Sequence, residues 1–354
     1  MDPRVDIFCH ILPKRYDAAR WQRVGKTNFV KHSPSHLKYV AVGKEKQKNE
    51  NMSVLTDLDA RFKMMDELES YRQVLSMASP TIEVVAPDDS ETVAKILNDE
   101  LAEIAAKYPK YFAGAVCSLP MDKPEAAARE LERSLKDLKM LGVQLFTNCN
   151  GKAIDGPEYW PIFEIMSKYD LPILLHPARA KTHPDYLAEK ESKYIIWQII
   201  GWPYETAAAM FRIALSGILD KFPNLKIICH HTGSMIPYFA GRIESMFGMF
   251  QGIIEQEIGH PLQRPPMDYF RSFYGDTATF TAASIECACD FLGADHVIFG
   301  SDAPFDAEGG RFSVRESTNA VNNARISAED KRKIFYKNFE TLFKVPAGVA
   351  TAKA

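Results

Sequence analysis

Four histidines and an aspartate stand at positions from which a folded chain could use them together. His10 closes the run Val5–His10, His176 closes Ile173–His176, His230 and His231 stand at the end of Lys226–His230, and Asp302 follows Val297–Gly300. Imidazoles and a carboxylate are the donors that a Zn²⁺-like ion takes, and three protein ligands leave a position open for water or substrate. Each residue also has an ordinary reading. A histidine at a strand end is often a hydrogen-bonded structural residue, and an aspartate after a strand can cap the next turn. Only elements that bring these ends to one place turn the five residues into a site.

The sequence supplies such elements. Eight short runs read as strands: Val5–His10, Arg72–Leu75, Phe112–Val116, Gly142–Leu145, Ile173–His176, Lys226–His230, Phe273–Asp276 and Val297–Gly300. Between them, apolar residues recur at three- and four-residue spacing in Asp57–Ser70, Ser90–Lys107, Pro124–Leu138, Tyr159–Lys168, Pro203–Phe222, Ser234–Glu255, Ala282–Phe291 and Ala328–Leu342. Strand and helix alternating eight times is the sequence form of a (β/α)8 TIM barrel, an α/β fold whose strand C-termini share one mouth. A doubly wound open sheet also alternates, but no Gly-rich phosphate loop follows the first strand. A single barrel over residues 1–345 is expected. Lys14–Met52 after the first strand and Pro177–Tyr194 after the fifth have no core period and are read as lid insertions or pocket walls, and 346–354 as a flexible tail.

Composition narrows the function classes. The 354 residues are 46% hydrophobic and 25% charged with a net charge of −3, and no basic tract or long apolar run points to nucleic acid or a membrane span. The first residues have no signal-peptide pattern and the six cysteines have no zinc-ribbon spacing, so a cytoplasmic protein with reduced thiols is expected.

The chain resembles the amidohydrolase-related decarboxylases, the group of 2-amino-3-carboxymuconate-6-semialdehyde and γ-resorcylate decarboxylases. The resemblance is carried by Asp6-Ile-Phe-Cys-His10 with Ile11-Leu12-Pro13, Asp59-Ala-Arg61, Met65-Asp66, Leu171-Pro-Ile-Leu-Leu-His176-Pro177 and Glu205-Thr206. Further on, Ser216-Gly217, Phe222-Pro223-Asn224-Leu225-Lys226, His231-Thr-Gly233-Ser-Met-Ile-Pro237, Tyr269-Phe-Arg271, Asp276-Thr277 and Gly300-Ser-Asp302-Ala-Pro304-Phe305 carry it to the end. It implies an amidohydrolase-type barrel, His10, His176 and Asp302 as ligands of one divalent metal ion, zinc or manganese, and His231 as the acid/base with Asp302 beside it. It also implies a homodimer.

Two departures stand out. The family carries His or Glu where this chain has Phe8, and a glutamate in resorcylate-type relatives where it has Ser234. By strand alternation Asp6, Phe8 and His10 share the inward face, with Asp6 about 6.6 Å deeper than Phe8 at roughly 3.3 Å per residue, and His230 points away from His231 as a structural residue. Because Phe8 cannot coordinate, the site holds its ion with three ligands or has none. Arg179, Arg61, Gln144, Asn148, Ser234 and Phe8 are candidate substrate contacts, with Lys14 and Arg15 as further cations and Phe146, Trp160, Trp197, Trp202 and Phe305 as candidate ring walls. Three functions stay open: decarboxylation of an aromatic or dienoic carboxylic acid, hydrolysis of a lactone, amide or C–C bond, and a binding barrel without catalysis.

Overall fold

The computed structural model describes residues 2–24 and 53–348. Seven parallel strands line up as β1 (Arg4–Ile11), β2 (Tyr71–Met77), β3 (Phe112–Ala115), β4 (Val143–Phe146), β5 (Pro172–His176), β6 (Lys226–Cys229) and β7 (Tyr274–Gly275). Their ladders run β1-β2-β3 and β4-β5-β6-β7. Single parallel bridges join the two sheets: Cys117 to Val143, Gly275 to Val297, and Cys9 to Ala303. Segment 297–303 is therefore the eighth stave, tied to β1 by the Ile7 and His10 amides donating to the carbonyls of Phe299 and Ala303. The barrel read from the sequence is present.

The bore is packed from one end. Val5, Val74, Val116, Leu174, Ile228 and Ile298 come from six different staves and meet in one cluster with Phe8, Phe339, Leu342 and Phe343. Side chains from so many staves touch one another only inside the barrel, so the helix Asn338–Phe343 plugs the end where the strands begin. A second, larger cluster lies between staves and helices. Helix Ser90–Lys107 shows the pattern: Val93, Ala94, Leu97 and Leu101 recur at helical spacing and are all buried.

Three expectations change. Lys14–Val24 is a helix rather than irregular chain, with Tyr16 and Arg20 buried. Its first amides, on Arg15 and Tyr16, donate to the carboxylate of Glu100 at 3.0 Å, a distant partner that no local pattern reveals. Arg15 itself pairs with Glu103 at the surface. The rest of the first insertion, 25–52, lies outside the described residues, as does 349–354. The start of the tail is held: Ala347 is buried, its amide donates to Glu340, and Arg72 donates to the carbonyls of residues 346–348. A helix at Arg311–Asn323 went unread. No described helix is long and apolar enough to cross a membrane.

Candidate metal centre and active site

His10, His176, His230 and Asp302 come together at the other end of the bore, with one donor atom from each lying within 4.8 Å of the rest. Asp302 Oδ1 sits 3.1 Å from His10 Nε2 and 3.3 Å from His230 Nε2. Those three atoms are buried and have no hydrogen-bond partner among the described residues. Buried polar atoms without a hydrogen bond cost stability, so their convergence needs a reason.

A divalent ion fits that place. The Nδ1 of His10 lies 3.0 Å from the Met77 carbonyl and that of His176 2.8 Å from the Pro177 carbonyl, while that of His230 meets the Asp276 carboxylate. Such oxygens only accept, which puts the hydrogen on Nδ1 and turns Nε2 toward the centre, the outer-sphere arrangement of metal-bound histidines. Burial and the neighbouring histidines hold His176 well below the ordinary imidazole value. Burial also works against charge on His230, but Asp276 and Asp302 outweigh it and raise its pKa to about 10. A divalent ion would take the place of that proton. Burial would raise the Asp302 pKa, but His230 and His10 hold it well below the carboxylate range.

His230 corrects the strand-alternation argument. The extended backbone stops at Cys229, and His231, Thr232, Gly233 and Ser234 all have φ between 60° and 71°. This left-handed turn brings both neighbouring imidazoles to one mouth, with ring centroids 4.0 Å apart. Left-handed backbone costs L-residues roughly 1–2 kcal/mol each. Asp276 offsets it by accepting from the amides of His231 at 3.2 Å and Thr232 at 2.8 Å as well as from His230. His231 differs from the other three histidines: its Nδ1 is buried with no partner among the described residues. Burial and His230 lower its pKa to about 4.

A bulge between Asp6 and Cys9 also breaks the expected face. Ile7 and Phe8 join the bore cluster, while Asp6 sits in the wall, bonded to the Ser301 amide and hydroxyl and to Tyr71. Phe8 is fully buried with its ring stacked on His230, so it does not touch substrate.

Arg61 is likewise not a substrate contact. It is buried and donates to Val54 O, Gln73 Oε1 and the carbonyl of His10, bracing β1 from behind. Gln144 is buried beside His10, its amide sharing the Met77 carbonyl and its Oε1 without a partner among the described residues. The Ser234 hydroxyl donates to Pro203 O and fastens the turn.

Arg179 and Asn148 do line a cleft, of about 230 Å³, with Phe146, Trp202 and the unforeseen His183. Pro177, Ala178 and Ala180 also line it, so the start of the second insertion borders the cleft. Arg179 pairs with Glu205 at 2.9 Å, and Asn148 braces the loop through Ala178 O and Gly151 N. The rings of Phe146 and Trp202 lie 5.1 and 5.6 Å from His176, and Phe305 lies 5.5 Å from His10. Trp197 is buried behind Trp202, and Trp160 packs against the outer core.

The amidohydrolase family pattern matches residues 6–345. The γ-resorcylate decarboxylase of Polaromonas sp. (strain JS666) is 33% identical over 296 residues, 81% of this chain and 87% of that protein. The 2-amino-3-carboxymuconate-6-semialdehyde decarboxylase of Dictyostelium discoideum is 28% identical over 306 residues, 85% and 82% of the two chains. The crystal structure of dihydroxybenzoic acid decarboxylase from Polaromonas sp. JS666, with bound manganese and the inhibitor 2-nitroresorcinol, matches with a TM-score of 0.74 and 28% identity over 97% of each chain.

Proposed function

The chain belongs to the amidohydrolase family, and on that premise we propose that it is a divalent-metal-dependent carboxy-lyase acting on a small aromatic or dienoic carboxylic acid. The observation that carries this reading is the convergence of His10, His176, His230 and Asp302 beside His231, whose buried Nδ1 has no partner among the described residues. The decarboxylases among its relatives support the choice of carboxy-lyase over hydrolase. When bound, the ion supplies positive charge that draws in the substrate carboxylate and an adjacent oxygen. Four protein ligands would close a tetrahedral zinc site, whereas a six-coordinate ion such as manganese keeps positions open.

The chain's own residues do the rest. Phe146 and Trp202, which line the cleft and approach His176, and Phe305 beside His10 would hold a planar ring next to the histidines, and the cleft, below the roughly 300–1,000 Å³ of drug-sized pockets, suits one small ring. Arg179, paired with Glu205, meets a polar substituent away from the reacting carbon, with Asn148 beside it. His231, kept neutral by its lowered pKa, takes up a proton only transiently and passes it on. As the bond to the carboxylate carbon breaks, its electron pair stays on the ring carbon, that carbon takes a proton, and CO₂ leaves.

The working unit is a homodimer. Tyr204 of helix Gly201–Leu215 and Tyr238, Met249, Phe250 and Ile253 of helix Ile236–Ile258 form an apolar face open to solvent, which a second copy would cover. Six unpaired cysteines fit a reducing compartment, the cytoplasm.

The test is CO₂ release from dihydroxybenzoates, carboxyvanillate and other hydroxy-aromatic acids, with manganese and with chelator. Metal-dependent release from at least one acid is expected. Metal-dependent hydrolysis of ester or lactone substrates with no CO₂ from any acid would overturn the reading.

A further inference from the structure

Three observations meet around His230. Its ring lies on that of Phe8, with centroids 4.1 Å apart and planes 22° from parallel. Its Nδ1 is anchored by Asp276, which is itself fully buried. Gly300 makes room for both supports: a Cβ there would stand 3.1 Å from Asp276 Cβ and 3.3 Å from Phe8 Cδ2, closer than side chains ordinarily pack. The side chain at position 8 and the imidazole at 230 therefore pack face to face at the floor of the metal centre. A coordinating side chain at 8 would stand beside His230 and compete with it for the same ion.

We infer that the metal centre draws a ligand from the sixth stave in place of one from the first, with His230 as the ligand, Phe8 as the apolar platform beneath it and Asp276 as the anchor that aims it. This rests on the proposed metal-dependent reading of the site and adds which residues complete it. Phe8 then marks a relocated ligand rather than a lost one. An aromatic ring is suited to the floor because it fills the bore without offering His230 a competing hydrogen bond, which leaves Asp276 as the partner of Nδ1 and Nε2 for the ion. Asp276 is a positioning residue in a second sense. The same carboxylate holds the left-handed turn at His231 and Thr232, so it fixes the ligand and the proton-handling histidine together.

The test is manganese affinity of the full chain stripped with chelator and titrated calorimetrically, with circular dichroism and thermal melts to verify the fold. His230→Ala should bind manganese about 100-fold or more weakly, and Asp276→Asn, which keeps an acceptor but loses the charge, about 10–100-fold more weakly. Phe8→His should leave affinity within a few-fold of the original, because the place is taken. The double variant Phe8→His/His230→Ala should recover at least tenfold over His230→Ala alone.

Full affinity in folded His230→Ala would overturn the inference, as would a double variant no tighter than His230→Ala. Should His230→Ala fail to fold, Asp276→Asn decides, since unchanged affinity there contradicts the anchor. Affinity is read without turnover, so a wild-type chain that binds manganese but releases no CO₂ contradicts the carboxy-lyase reading and leaves this test standing.

Discussion

The two ends of the bore are built from the same staves and filled in opposite ways. Where the strands begin, Val5, Val74, Val116, Leu174, Ile228 and Ile298 close on Phe339 and Phe343 with apolar contacts alone. Where they end, His10, His176, His230 and Asp302 converge, and His10 Nε2, His230 Nε2 and Asp302 Oδ1 are buried with no hydrogen-bond partner among the described residues. One end contributes stability by removing apolar surface from water, and the other spends some of it to keep donor atoms available. Phe8 and His230, stacked on each other, are the boundary. A barrel can carry a costly site because its far end is packed without one.

Substitutions at the two ends should therefore separate activity from stability. His231→Asn is expected to lower kcat by about 10²–10⁴-fold while leaving the melting temperature nearly unchanged; near-normal turnover would remove His231 from the proton path. Phe343→Ala should do the reverse, costing about 3–5 kcal/mol in urea unfolding with kcat/KM unchanged in the folded protein. If turnover fell with stability, the ends would not be independent.

The smallest effect is expected at Glu83, buried in the short helix Ile82–Val85 that follows β2. Burial raises its pKa from 4.5 to about 7. Between those values the unfolded chain has released the proton and the folded chain retains it, so stability falls as pH rises through that window and the penalty persists above it. Glu83→Gln should thus gain thermal stability over wild type at pH 8 and little at pH 4.5. Equal differences at both would show that Glu83 does not titrate as its burial requires.

The sequence made much of this legible and missed the rest for identifiable reasons. All eight staves could be read because β-branched runs alternate with helical periods, and His10, His176 and Asp302 could be placed because each ends a stave. Alternation failed where the backbone left its regular form. The bulge between Asp6 and Cys9 sent Asp6 into the wall, and the left-handed turn after His230 put two adjacent imidazoles at one mouth. Gly233 was the local sign of that turn, but it continues through His231, Thr232 and Ser234, which rarely adopt such backbone. Asp276, 45 residues after His231, holds it there through a contact no local pattern contains. Arg61 misled because an arginine near a site suggests an anion, whereas its guanidinium is spent on the carbonyls of Val54 and His10 and on Gln73.

The most direct measurement is the metal content of the purified chain by plasma mass spectrometry after incubation with manganese and removal of free ion, with His176→Ala treated alongside. About one ion per wild-type chain, and none in the folded variant, is the result this account predicts. An active wild-type protein with no bound ion, or a variant that retains it fully, would contradict a metal centre at the open end of the bore.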